Sequence, residues 1–176
     1  MTQAYVVTEN QVAAKILEGV LPKKIVESTS FVVRPQSPTS TARSIVSAKR
    51  RPVALVMDTH TRHEGSIYEQ EDLIRYISRS IAGIPFELFF VIPELEIVFF
   101  QDRPLLEQLL QRKVTDVEWA VGHFQPQNSL SDLLKNGSQT LTHEELLDRL
   151  TDDMIEVLQQ HYPVREISEF LCSVVE

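Results

Sequence analysis

Four acidic residues stand where predicted β-strands end. Glu9 follows the first apolar strand pattern, Asp58 ends the third, and Glu94 and Glu96 follow the fourth. The carboxyl ends of parallel strands meet at one edge of an open α/β sheet, where such sheets bind their ligands. Carboxylate oxygens are the preferred ligands of hard cations, and Mg²⁺ needs only one or two of them together with waters and substrate phosphates. The pattern therefore predicts a divalent-cation site, for Mg²⁺ or Mn²⁺, at that edge.

Three further side chains could take part in this site. His60 lies two residues after Asp58, and a neutral imidazole nitrogen binds transition metals more readily than Mg²⁺. Arg34 ends the second predicted strand and Arg62 lies four residues after Asp58, and a guanidinium at either position could contact a phosphate. A structural alternative remains open for the acids, since a carboxylate is also stabilised at the positive N-terminus of a helix. His60 also fits a solvated loop.

The elements that would position these residues alternate between strand and helix patterns. The run from Pro52 to Met57 is continuously apolar, which is typical of a strand buried on both faces. Asn10 is a candidate N-cap for the helix after the first strand. This alternation predicts an α/β fold with a mainly parallel four-stranded sheet flanked by helices. The predicted strands are 4–8, 30–34, 52–57 and 86–92, and the helices between them begin near residues 10, 39 and 69.

The pattern changes after Pro93. Residues 94–112 are predicted to be helical, with a break or a new helix start at Pro104. We predict a loop over 119–130 because of its glycine, proline and asparagine residues. Thr142 and Glu145 form a predicted capping box, one of several signals for short helices within 131–175. We therefore expect an α/β domain over residues 1–112 and a helical C-terminal extension over 113–176 that packs on it.

The order of the acidic residues resembles the Toprim domain, especially that of OLD-family endonucleases and related proteins. That family has a glutamate after the first strand, a DxD motif after the third and further acids beyond the next strand. The matching segments, which fall within about residues 4–112, are Val6-Val7-Thr8-Glu9, Val53-Ala54-Leu55-Val56-Met57-Asp58-Thr59-His60 and Ile92-Pro93-Glu94-Leu95-Glu96-Ile97.

The chain departs from the family pattern at three positions. Asn10 stands where the family usually has glycine, Ala13 replaces an acidic residue, and His60 replaces the second aspartate of DxD. Since histidine is a poorer Mg²⁺ ligand than a carboxylate, the third change favours either a lost activity or an altered site using manganese.

The resemblance implies two classes of function. In the first, the chain is a degenerate, non-catalytic Toprim-like module with a binding or regulatory role. In the second, it is a metal-dependent nuclease or phosphoryl-transfer enzyme in which Glu9 is the general base or a ligand, and Asp58 and Glu96 bind the cation. Arg34 or Arg62 would then contact phosphate. Both classes imply nucleic acid or another phosphate-bearing ligand as partner, and a homo-oligomer remains open.

Charge and composition limit the classes of protein to which the chain could belong. The net charge is −8, with +5 in residues 1–62 and −13 in residues 63–176, which is unlike an ordinary non-specific DNA-binding protein. The longest apolar stretch, residues 86–100, is too short and too charged to span a bilayer, and the first residues do not resemble a secretory signal. We therefore expect a cytoplasmic protein. The single cysteine, Cys172, is predicted to be a buried structural thiol.

Other site architectures find less support. A phosphate-accepting receiver domain also has an aspartate at the end of its third strand, but it needs paired acids after the first strand and a late lysine, which this chain lacks. The sequence contains no GxxxxGK[ST], GxGxxG or GxSxG segment. It therefore lacks the signatures of P-loop, dinucleotide-binding and hydrolase folds.

Overall fold

The computed structural model describes residues 3–78, 83–137 and 140–175, with the side chains of 76–78 left out. Its strands form one all-parallel sheet in the order β2-β1-β3-β4, which confirms the predicted α/β class. The strands are β1 (Ala4–Thr8), β2 (Thr29–Val33), β3 (Val53–Asp58) and β4 (Phe86–Val91).

Helices flank the sheet on both faces and make up most of the C-terminal part. They are α1 (Gln11–Val20), α2 (Lys23–Ser28), α3 (Pro38–Lys49), α4 (Glu64–Ser78), α5 (Arg103–Leu110), α6 (Asp116–Phe124), α7 (Pro126–Lys135), α8 (His143–Leu147), α9 (Asp152–Gln159) and α10 (Val164–Val175), with a 3₁₀ helix over Leu95–Phe100. Within the described residues, no helix combines the length and the low charge needed to cross a membrane.

The two central strands are buried on both faces, as their continuous apolar sequences predict. Alternate residues of β1 and β3 enter different cores, because successive side chains of a strand point to opposite faces. Tyr5, Val7 and Leu55 pack with α3 and α4. Val6 and Val56 pack on the other face, in the larger core, with α1 and with side chains from α7 to α10. The helical C-terminal part thus shares a core with the sheet, while a domain boundary at residue 112 stays a prediction.

Several predicted helix starts agree with the structure. The side chain of Asn10 accepts the N–H of Ala13 at 2.7 Å and caps α1. Thr142 and Glu145 form the predicted capping box of α8. Asp102 accepts the N–H of Leu105 at 2.9 Å, so α5 begins at Arg103 with Pro104 in its first turn, where the missing proline N–H costs no hydrogen bond.

The loop predicted over residues 119–130 is wrong. This segment belongs to two helices, α6 and α7, that pack on the 3₁₀ helix. Pro126 is the first residue of α7, a position that suits its fixed φ. Gly122 lies inside α6, where a Cβ atom would come 2.0 Å from a ring carbon of Phe100. These two residues therefore mark a helix start and a close helix contact, and not a loop.

Other bounds shift or were missed. The short helix α2, which follows Pro22, was not predicted. Helix α4 starts at Glu64, five residues earlier than expected, and the predicted helix end near Ala82 lies outside the described residues. Residues 94–112 contain a 3₁₀ helix and then α5, so a new helix starts at Arg103, within one residue of the predicted position at Pro104. Cys172 is partly buried in α10 and packs against the larger core.

Candidate metal centre

The parallel sheet brings the ends of β1 and β3 to one edge. The two strands are paired in register, with Thr8 opposite Val56. Glu9 directly follows β1, and Asp58 is the last residue of β3. The main-chain N–H of Asp58 donates to Glu9 Oε2 at 3.1 Å. The two acids, 49 positions apart in the chain, are therefore direct neighbours.

Glu9, Asp58 and His60 form a cluster of potential metal ligands, which we call the metal cluster. One ligand atom from each of these three residues lies within 4.8 Å of the others, so the cluster could hold a metal ion. Among the residues that the structure describes, no other group of three or more such side chains comes this close. The donor set is two carboxylates and one imidazole, a combination suited to Mn²⁺ and to other first-row divalent metals.

The carboxylate of Asp58 is held by a main-chain N–H of the segment that follows β4. The residue is 6% exposed, and its Oδ1 accepts the N–H of Leu95 at 2.9 Å. The side chain of Asn10 approaches Oδ2 at 3.4 Å. Burial raises the pKa of Asp58 to about 6, the nearby His60 lowers it and the negative charge of Glu9 raises it. A bound dication would stabilise the charged carboxylate that burial disfavours.

His60 owes its position to an unusual backbone conformation. Its φ is 51°, in the left-handed region that non-glycine residues seldom adopt. Its main-chain N–H donates to Pro93 O at 2.9 Å, while the N–H of Thr59 donates to Val91 O at 3.0 Å. These bonds extend the pairing between β3 and β4 beyond the strand ends. They place the imidazole, which is largely exposed, beside Asp58.

Glu94 contacts His60 and lies outside the metal cluster, so its role as a ligand stays a prediction. Its Oε1 lies 3.5 Å from His60 Nδ1, a long contact, and its Oε2 accepts the N–H of Gln127 at 2.9 Å. Gln127 is the second residue of α7, so Glu94 also faces a positive helix N-terminus. A proton on Nδ1 shared with Glu94 leaves the lone pair of His60 on Nε2, an arrangement common in metal-binding histidines. Glu94 thus orients His60.

Glu96 is enclosed in the protein. It is 1% exposed within the 3₁₀ helix, and neither carboxylate oxygen has a hydrogen-bond partner among the described residues. Burial raises the pKa of Glu96 to about 7, and the negative charges of Asp58 and Glu94 add to the increase. A buried carboxylate without a partner is costly when charged. The structure does not bring Glu96 into the metal cluster, so its role as a ligand stays a prediction.

The two arginines predicted to bind phosphate differ in their surroundings. The main-chain N–H of Arg34 donates to Thr8 O at 2.9 Å, next to Glu9. Among the described residues, its exposed guanidinium donates a hydrogen bond only to the carbonyl of Val33. The guanidinium of Arg62 instead donates to the carbonyl of His123. It also lies over the ring of Phe124, with the guanidinium carbon 5.4 Å from the ring centroid. Arg34 is the more available of the two for an incoming anion.

Sequence reasoning missed three contributions to the site. Asn10 was assigned only to helix capping, although its amide also approaches Asp58. The N–H groups of Leu95 and Gln127 hold Asp58 and Glu94, and backbone donors carry no signature in side-chain type. Tyr162, from the turn before α10, donates its hydroxyl to Phe90 O at 2.6 Å and accepts the N–H of Ile92 at 3.2 Å. It supports the end of β4 that leads to Glu94.

Comparisons of the chain with protein-family models, with curated proteins and with solved structures find no match.

Proposed function

We propose that this chain is a Toprim-like binding module that holds one divalent cation in its metal cluster and, through it, a phosphate-bearing ligand such as nucleic acid, without cleaving it. The single observation that carries the proposal is the convergence of Glu9, Asp58 and His60 within 4.8 Å at the carboxyl edge of a parallel sheet. Such edges are the usual ligand sites of open α/β folds.

The ligand types favour Mn²⁺ over Mg²⁺. Two carboxylates alone would suit either cation, since both accept oxygen ligands. His60 adds a nitrogen donor, and imidazole nitrogen binds transition metals better than it binds Mg²⁺. Bound in the cluster, a divalent cation supplies positive charge for a phosphate oxygen.

The hydrogen bonding of the two acids supports binding without cleavage. Glu9 uses Oε2 for the N–H of Asp58, and Asp58 uses Oδ1 for the N–H of Leu95. A main-chain N–H thus engages one oxygen of each acid, and in this proposal the other oxygen binds the cation, so that neither carboxylate serves as general base. Glu94 is engaged by His60 and Gln127. A second cation, as used by many phosphodiester-cleaving enzymes, would lack ligands among these residues.

Arg34 supplies the contact with phosphate in this proposal. It follows β2, the strand next to β1, and therefore shares an edge with Glu9. A guanidinium beside a cation site can form paired hydrogen bonds to a phosphate. Arg62 contributes less, because its guanidinium already contacts α6.

Metal-dependent phosphodiester cleavage is the second candidate, and one observation favours it. Glu96 has a pKa raised to about 7, which is close to the value that general acid–base catalysis needs at neutral pH. Raised carboxylate pKa values cluster at functional sites, although structural burial also produces them. If Glu96 accepts a proton during turnover, its enclosed position must open to the substrate.

Titration calorimetry with MnCl₂ and MgCl₂ tests the binding proposal. We expect a one-to-one Mn²⁺ isotherm that is lost in Asp58→Asn and Glu9→Gln, with weaker heat from Mg²⁺. Glu64→Gln is the matched control, because Glu64 is an exposed acid in the first turn of α4 and lies outside the cluster. Absence of heat with the wild-type protein at millimolar Mn²⁺ would overturn the proposal.

A second assay separates binding from cleavage. Labelled single-stranded and duplex oligonucleotides are incubated with the Mn²⁺-loaded protein and then analysed for retention and for strand breaks. We expect retention without breaks, and weaker retention by Arg34→Glu. Breaks that disappear in Glu96→Gln would instead establish the second candidate. Equal retention by Arg34→Glu and the wild type at low salt would remove Arg34 from the site.

A further inference from the structure

An open groove lies away from the metal cluster, where α1 ends. Helix α1 is capped by Asn10, beside the cluster, and ends at Val20, so its C-terminus lies toward the opposite edge of the sheet. The groove runs between α2 and α9 and has a volume of about 610 Å³. That volume falls in the range typical of ligand sites. We call it the α2–α9 groove.

Its floor is apolar and its walls are anchored in the core. Leu21, Val26 and Ile155 line the bottom, and Leu21 is almost fully buried. Helix α9 buries Leu158 in the larger core, and Gln159 Nε2 donates to Val20 O at 2.9 Å. Both walls of the groove therefore belong to packed elements.

Its rim is acidic. Glu18 of α1, Glu27 of α2, and Asp152 and Glu156 of α9 surround the apolar floor. Lys23 is the one cation among the lining residues, and its ammonium lies 3.5 Å from Asp152. Within the described part of the chain, the other three carboxylates have no ion-pair partner. The groove thus combines apolar surface with three exposed, unneutralised negative charges.

We infer that the α2–α9 groove docks an amphipathic peptide segment whose apolar side chains cover Val26 and Ile155 and whose lysines or arginines meet the acidic rim. An amphipathic helix laid in an apolar groove is a recurrent mode of peptide recognition. Charge complementarity selects a basic segment, because an acidic one would meet Glu18, Glu27 and Glu156 with like charge. Lys23 shows the same contact within the chain, since its ammonium pairs with Asp152. The inference does not depend on the metal cluster.

Fluorescence anisotropy of a short labelled Leu/Lys peptide with helical amphipathic spacing tests the inference at low salt. We expect saturable one-to-one binding to the wild type and no binding of the matching Leu/Glu peptide. The double variant Glu27→Gln, Glu156→Gln should weaken binding by about fivefold or more, as expected for losing two exposed ion pairs. Lys23→Gln should strengthen it, because Asp152 then becomes available to the peptide. Ile155→Gln should weaken it by removing apolar contact.

A charge-matched control excludes general attraction to an acidic protein. Glu69→Gln, Glu169→Gln changes the net charge by the same amount at exposed positions outside the groove. This variant should bind the Leu/Lys peptide as the wild type does. Equal weakening in both double variants would overturn the inference, and so would equal binding of the Leu/Glu peptide or a lack of saturation. Mn²⁺ heats unchanged in the Glu27→Gln, Glu156→Gln protein would show that the two sites fail or succeed separately.

Discussion

Glu9 accepts the main-chain N–H of Asp58, with 3.1 Å between Glu9 Oε2 and the Asp58 nitrogen. The side chain that follows β1 thus binds the backbone at the end of its neighbour β3. This contact orients Glu9 before any ligand arrives and reduces the side-chain freedom lost on binding. The cluster is therefore preorganised, and its response to pH and mutation follows from the groups that surround it.

Binding of Mn²⁺ should strengthen as the pH rises through 6. The pKa of Asp58 is raised to about 6 by burial, and a metal must displace the proton that the carboxyl holds below that pH. Below pH 6 the apparent affinity should fall by about tenfold for each pH unit, and above pH 7 it should level off. Calorimetry across this range measures the slope. A constant affinity from pH 5 to pH 8 would show that Asp58 does not bind the metal.

Substitution Glu96→Gln should stabilise the metal-free protein at high pH. The ordinary pKa of a glutamate is 4.5, and burial raises the pKa of Glu96 to about 7 in the folded protein. The folded state therefore binds the Glu96 proton more tightly than the unfolded state does. The free energy of unfolding therefore falls as the pH rises from 4.5 to 7, and stays lower above. The glutamine variant lacks this loss, so its advantage should grow by roughly 3 kcal/mol between pH 4 and pH 8.

Urea denaturation at several pH values measures this difference, and Glu69→Gln provides an exposed acid as control. If the curves of Glu96→Gln and the wild type run parallel with pH, the Glu96 carboxylate has a compensating partner. Repeating the urea denaturation with Mn²⁺ present also shows whether the cation changes the pH dependence that Glu96 contributes.

The sheet could be predicted because its strands carry a local signal. Residues 53–56 are buried and belong to a continuous apolar run, and the helices between strands require parallel pairing. Helices α6 and α7 could not be predicted in the same way. Gly122 and Pro126 usually interrupt structure, and their actual roles depend on Phe100 and on the start of α7. Gly122 allows α6 to pack closely on Phe100, and Pro126 is the first residue of α7, so both residues belong to helices.

The positions of two site residues could be predicted in the same way as the sheet. Glu9 and Asp58 each follow a parallel strand, and topology alone places them at one edge. The positions of Glu94 and Glu96 differ because of the 3₁₀ helix. Glu96 lies in this helix and is buried, whereas Glu94 precedes the helix and lies beside His60. Tyr162 acts across 72 positions on Phe90. The spacing of residues in the sequence does not predict a contact between two residues so far apart in the chain.

Tyr162→Phe should weaken both the fold and the metal cluster. Its hydroxyl satisfies Phe90 O at 2.6 Å and the N–H of Ile92 at 3.2 Å, and phenylalanine would leave both unpaired. We expect a loss of about 1–3 kcal/mol in the free energy of unfolding. Because the same backbone leads to Glu94, the Kd for Mn²⁺ should rise by about tenfold. Urea denaturation and calorimetry measure the two effects.

Tyr68→Phe is the control for this substitution, because Tyr68 is 66% exposed and should tolerate the change at both readouts. A Tyr162→Phe protein that loses stability but binds Mn²⁺ like the wild type would restrict Tyr162 to a structural role. Unchanged stability would mean that water replaces the hydroxyl at the end of β4.

The same substitution should have opposite effects at two helical glycines. In Gly122→Ala the new methyl would lie 2.0 Å from Phe100, so α6 must move from the 3₁₀ helix, at a cost of about 1–3 kcal/mol. In Gly19→Ala the nearest atom is a methyl of Leu147 at 3.4 Å, an ordinary contact, and alanine's higher helix propensity should add up to about 1 kcal/mol. Thermal and urea denaturation compare the two variants. Stabilisation by both would show that Phe100 moves aside freely and that α6 does not depend on this close contact.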